Sequence, residues 1–118
     1  MIVLNNIVKL FVLVPNQPTL TAKDSSNTEK TEHTNGDLVT LTCVSVGADG
    51  YTFYKIDTDG ALITLNNEKK TDNTYIIDPF MIMSVGVYKC KAFNGDLQAA
   101  DDSDTIALTL AGIVELSM

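Results

Sequence analysis

The sequence predicts an all-β chain folded as a sandwich of two antiparallel sheets. Three observations carry that expectation. Short runs rich in Val, Ile, Thr, Tyr and Phe recur along the chain between clusters of Gly, Pro, Asn and Asp, which is the rhythm of strands and turns. Val39, Leu41 and Cys43 alternate with Thr40 and Thr42, so one side of that run is apolar and the other polar, as in a half-buried strand. No amphipathic helix stands out. A length of 118 residues suits one compact domain, and a composition 45% hydrophobic and 19% charged is that of a chain that forms a core.

The elements follow in order. Ile7 to Val14 is the only long apolar stretch, and it is far shorter than the ~20 residues a bilayer-crossing helix needs, so no membrane span is expected. Residues 1–14 read either as a leader segment or as the last strand of a preceding repeat. Lys9 inside the apolar run and the lack of a small-residue cleavage site speak against the leader. For the strand speaks a match in which Val8, Leu10 and Val12 lie over Ile106, Leu108 and Leu110. On the strand reading Pro15 to Pro18 is a stiff linker, residues 15–112 are the domain, and residues 113–118 begin a following segment or tail.

Within the domain, Val39–Cys43 is followed by the Asp49-Gly50 turn and the run Tyr51–Ile56. Asp57-Thr58-Asp59-Gly60 then turns the chain into Ala61–Leu65, which makes a hairpin. A polar stretch from Asn66 to Asn73 leads to the strand Thr74–Ile77, closed by Pro79. Gly86–Phe93 and Thr105–Leu110 supply the last two strands, with Asn94 to Asp104 as the connecting turn.

Charge and cysteine usage narrow the functions. The formal net charge is -7 and the chain contains no arginine, which removes the fork-shaped donor suited to phosphate, so nucleic acid is not an expected partner. Cys43 and Cys90 lie too far apart for a zinc ribbon or a thioredoxin-like pair, leaving a long-range bridge or two free thiols. No Asn-x-Ser/Thr acceptor occurs.

Gly86-Val87-Tyr88-Lys89-Cys90-Lys91-Ala92 carries a Gly-x-Tyr-x-Cys-x-Ala pattern with Tyr88 two places before a cysteine, and Gly36-Asp37-Leu38-Val39-Thr40-Leu41-Thr42-Cys43 leads into the other cysteine. Together these segments resemble the immunoglobulin superfamily, in the constant-like and intermediate repeats of cell-adhesion molecules and receptor ectodomains. The resemblance covers about residues 15–112. It implies an immunoglobulin-like two-sheet sandwich with Greek-key connections, one inter-sheet disulfide between Cys43 and Cys90, and a tyrosine corner at Tyr88. A bridge closing a loop of this length is worth on the order of 4 kcal/mol and implies an oxidising compartment.

Tyr51-Thr52-Phe53-Tyr54-Lys55 matches the family's Trp-Tyr-Lys strand with Phe53 in the tryptophan's place, so a large ring is kept and the indole donor is given up. Leu41, Phe53 and Tyr88 are the core signature. The chain departs from the family where Ser84 replaces the usual aspartate two places before the glycine and its arginine partner is missing. The lost ion pair is of a kind worth only ~0–1 kcal/mol.

No catalytic, cofactor-binding or metal constellation is visible, and no small-molecule substrate is expected. His33, the only histidine, stands among polar residues and reads as an exposed loop side chain. Asp57-x-Asp59-Gly60 lacks the later ligands of a calcium loop and reads as a turn. Asp101, Asp102 and Asp104 read as a solvated acidic hairpin tip. The remaining candidate follows from strand alternation. With Phe53, Tyr88, Cys90 and Ala92 pointing inward, Tyr54, Ile56, Lys89, Lys91 and Phe93 share the outer face of one sheet, an aromatic and aliphatic patch beside two lysines suited to a protein partner.

The resemblance implies an extracellular or cell-surface recognition or adhesion module, one repeat of a larger protein. Such a module binds a protein ligand or neighbouring immunoglobulin repeats without catalysis. A structural spacer repeat of an intracellular filament, with its cysteines reduced, is the alternative.

Overall fold

The computed structural model describes residues 14–66 and 71–112. The strand or leader expected before Pro15, the polar residues 67–70 and the segment 113–118 lie outside the described residues, apart from Val14.

Among the described residues nine strands form two sheets: β1 (Thr19–Lys23), β2 (Glu32–His33), β3 (Val39–Val44), β4 (Gly50–Ile56), β5 (Leu62–Thr64), β6 (Thr74–Ile77), β7 (Gly86–Asn94), β8 (Leu97–Gln98) and β9 (Ile106–Leu110). One sheet runs β1-β3-β6 and the other β2-β9-β7-β4-β5, with β8 added to the end of β7. The chain changes sheet between β1 and β2, β2 and β3, β3 and β4, β5 and β6, and β6 and β7, as Greek-key connections require. All pairings are antiparallel except β2 with β9. A single turn of 3-10 helix at Ile82–Ser84 lies between β6 and β7.

Alternation builds the core. In the first sheet Leu20 pairs with Cys43, Ala22 with Leu41, Tyr75 with Leu41 and Ile77 with Val39, which places these residues on one inward row. In the second sheet Phe53 pairs with Cys90, and Leu108 follows from β9. The Cys43–Cys90 disulfide joins the rows across the sandwich, with the two Cα atoms 6.3 Å apart. Leu41, Cys43, Phe53 and Cys90 are fully buried and Tyr88 almost so. The Tyr88 hydroxyl donates to the carbonyl of Ser84, the tyrosine-corner bond. That burial pushes the Tyr88 pKa up to about 12, with the nearby Tyr75 adding to the effect.

His33 corrects the sequence expectation. It is 0% exposed, with its Nε2 2.9 Å from the Lys30 carbonyl and its ring 5.4 Å from that of the buried Phe80. Its Nδ1 has no partner among the described residues. The cause is β2, which sets Glu32 and His33 beside Thr109 and Leu110, so that Glu32 faces outward and His33 faces the core. A two-residue strand flanked by polar residues has too little alternation to be read from sequence.

The expected turn from Asn94 to Asp104 also contains more structure. Gly95 and Asp96 form a two-residue hairpin loop between β7 and β8, with Gly95 at a φ of 59°, a value glycine adopts freely at such a loop's first position. The Pro15–Pro18 segment is packed on the domain. Both prolines are buried, the Asn16 amide donates to the Val46 carbonyl at 3.0 Å, and Ser45 Oγ donates to the Asn16 carbonyl.

Candidate functional site

Strand register decides which side chains share the outer face of the larger sheet. Tyr54 stands opposite Lys89, Thr52 opposite Lys91, Ile56 opposite Val87 and Gly50 opposite Phe93. Across the next strand Tyr54 pairs with Thr64 and Ile56 with Leu62. The structure therefore places Tyr54, Ile56, Lys89, Lys91 and Phe93 together, each half-buried. Leu62 on β5 extends the apolar surface at its margin and is exposed.

The two lysines of this face are already engaged. Lys91 Nζ lies 5.1 Å from the centroid of the Tyr54 ring, within range of a cation–π contact. Lys89 Nζ donates to Asp102 Oδ2 at 2.6 Å. Asp102 is held in turn by Gln98, whose Nε2 donates to Oδ1, and by Gln17, whose Nε2 donates to the main-chain carbonyl at 2.9 Å. Next to it the buried Ser103 Oγ accepts from the Cys90 amide at 2.8 Å. Asp102 is thus a structural anchor of the face, whereas Asp101 and Asp104 are exposed as the sequence suggests. The face carries aromatic and aliphatic area, with one lysine ion-paired and the other seated over a ring.

Lys55 was not anticipated, although the alternation from Phe53 points it inward. It pairs with Tyr88, its Nζ lies 5.7 Å from that ring's centroid, and it donates to the Met83 carbonyl at 2.6 Å. Its stem lies over Gly86, where a Cβ would sit 2.6 Å from Lys55 Cε. The lysine straps this end of the sandwich. Lys55, Tyr75, Asp78, Met83 and Tyr88 are among the residues around an open cavity of 470 Å³ there.

Asp57 behaves as a turn residue. Its Oδ1 accepts from the amides of Asp59 and Ala61, both at 2.9 Å, which uses the carboxylate to close the β4–β5 loop. Among the described residues no three His, Cys, Asp or Glu side chains gather as a metal would need. No helix among them is long and apolar enough to cross a membrane.

The two sheets, the disulfide between them and the tyrosine corner define an immunoglobulin-like domain. Solved structures agree on the fold. Murine CEACAM1b matches with a TM-score of 0.58 at 23% identity, covering 82% of this chain and 45% of that one. The structure of a mouse coronavirus receptor-binding domain complexed with its murine receptor matches with a TM-score of 0.58 at 24% identity over the same shares, 82% and 45%. An Fn3-like protein from Clostridium thermocellum matches with a TM-score of 0.57 at 21% identity, covering 86% of this chain and 99% of that one. The chain thus spans less than half the length of the two murine matches. No protein-family model and no curated protein matches the sequence.

Proposed function

We propose that this domain is an extracellular recognition or adhesion module that binds a protein partner through the outer face of β4, β5 and β7, without catalysis. The observation that carries the reading is the composition of that face. Tyr54 and Ile56 on β4 and Phe93 on β7 supply apolar area to that face, with Lys91 held over the Tyr54 ring and Lys89 ion-paired to Asp102. Aromatic side chains dominate binding energy at protein interfaces, and a prearranged lysine and ring lose little freedom on contact. The disulfide supports an oxidising compartment, and a receptor among the structural matches, complexed with a viral receptor-binding domain, supports a protein as ligand. The domain, residues 15–112, is one repeat of a longer protein on this reading, and neighbouring repeats are its other class of contact.

The test is a binding screen of the domain against a panel of cell-surface ectodomains and against itself. Each positive is repeated with Tyr54→Ser plus Phe93→Ser and, as a control, Thr21→Ala plus Thr42→Ala on the outer face of the other sheet. Loss confined to the first variant supports the face. Equal loss in both, or in neither, overturns it. Thiol state in the native source separates the intracellular spacer: cysteines that alkylate on denaturation alone favour the filament repeat.

A further inference from the structure

The tetrapeptide Asn-Gly-Asp-Leu occurs twice, at 35–38 and at 94–97. Asparagine before glycine is chemically unstable. The glycine amide nitrogen attacks the asparagine Cγ, the Cγ–N bond breaks and ammonia leaves, giving a cyclic imide. Water then opens the ring to aspartate or isoaspartate, with no oxidant or reductant needed. Glycine permits the attack because it has no side chain in the way. The reaction nevertheless requires the glycine N–H to leave its hydrogen bond and swing toward its own neighbour.

The two copies differ in how firmly that N–H is held. At the first, the Gly36 amide donates to the Phe80 carbonyl at 2.8 Å and the Phe80 amide donates back to the Asp37 carbonyl at 2.7 Å. Asp37 also donates to the Thr34 carbonyl at 3.0 Å, and its Oδ2 accepts from the Thr34 amide at 2.8 Å. Phe80 is fully buried, so this turn is stitched to the core. At the second, the Gly95 amide donates to Asp49 Oδ1 at 3.1 Å, an acceptor on the side chain of an exposed residue in another loop. The strand that follows is two residues long and exposed.

We propose that Asn94 is a site of spontaneous deamidation in the folded protein and that Asn35 is protected from it by the fold. The change places a new carboxylate next to Phe93, or with isoaspartate lengthens the backbone at the end of β7. If the outer face is the recognition surface, as proposed above, ageing at Asn94 alters its margin; the chemistry itself does not depend on that reading.

The identical tetrapeptide makes the test internally controlled. The folded chain is incubated at mildly alkaline pH, digested at intervals, and aspartate and isoaspartate at each position are quantified by mass spectrometry, with a parallel series in denaturant. In the folded chain Asn94 converts about tenfold faster than Asn35, the difference expected when one copy must break additional main-chain bonds to react. In denaturant the two rates converge. Asp49→Ala raises the rate at Asn94 and leaves Asn35 unchanged. Equal rates in the folded chain, faster conversion of Asn35, or indifference of Asn94 to Asp49→Ala would each overturn the proposal, whatever the binding screen shows.

Discussion

The two sides of the β4–β7 ribbon are one residue apart in sequence and opposite in character. The inner row, Phe53, Tyr88, Cys90 and Ala92, is buried to the last few per cent. The outer row, Tyr54, Lys89, Lys91 and Phe93, is half-exposed although its residues are as large as the inner ones or larger. Size and aromaticity are therefore not what separates scaffold from surface here; position on a period of two is. Inner residues act through packing and closure, so changing them should alter stability first. Outer residues rest on cation–π and ion-pair contacts, so changing them should leave stability nearly intact and, on the proposed function, weaken partner binding.

The largest break of the inner side is the disulfide. Replacing Cys43 and Cys90 together with Ala should lower unfolding free energy by about 4 kcal/mol, the closure entropy of the loop they define, measurable as a fall in the urea midpoint. A loss below about 1 kcal/mol would mean that packing alone holds the sheets and that the bridge is incidental.

His33 comes next, because it extends the inner side to a strand the sequence does not reveal. His33→Ala should cost about 3 kcal/mol, from the emptied space beside Phe80 and the lost bond to the Lys30 carbonyl. An exposed loop histidine would cost no more than about 0.5 kcal/mol, so one denaturation curve decides between the positions.

Tyr88 tests the same side by pH. Its pKa rises from 10.0 in the ordinary side chain to about 12 in the fold, so the protonated form is the one the fold favours. The associated stability is complete below pH 10.0 and drains away as the pH climbs toward about 12. The total is on the order of 2 kcal/mol. Tyr88→Phe should remove most of that alkaline slope and cost about 1 kcal/mol at neutral pH for the missing bond to the Ser84 carbonyl.

The contrast also explains what was readable before the structure. Strands β3 and β7 announce themselves because their apolar residues alternate and carry the cysteines, β4 by its aromatic run after a turn, and the outer face follows from the same alternation. β1 was not singled out, since Thr19–Lys23 presents Leu20 and Ala22 among threonines and a lysine, a weak apolar signal. β2 and β8 are two residues each, too short for any period to appear. Lys55 and Asp102 depend on partners 28 and 13 positions away, Met83 and Lys89, and such contacts leave no local trace. Alternation puts Lys89 and Lys91 on the outer face, while the partners they find there are a tertiary fact.

Tyr54 is where the outer side can be sharpened. Tyr54→Ala removes a half-exposed ring and the cation–π contact with Lys91, each of modest worth at a surface, so unfolding free energy should fall by about 1 kcal/mol or less. Partner affinity should fall by about 2 kcal/mol, roughly thirtyfold, if the ring is a binding anchor. Lys91→Met separates the two contributions. It keeps an apolar stem over the ring while deleting the charge, so affinity should drop less than in Tyr54→Ala, and added salt should matter little because the ammonium faces a ring rather than a free carboxylate. A stability loss at Tyr54 as large as that at His33 would mean that the outer ring is part of the scaffold, and the division between the two sides of the ribbon would then fail at its most exposed aromatic.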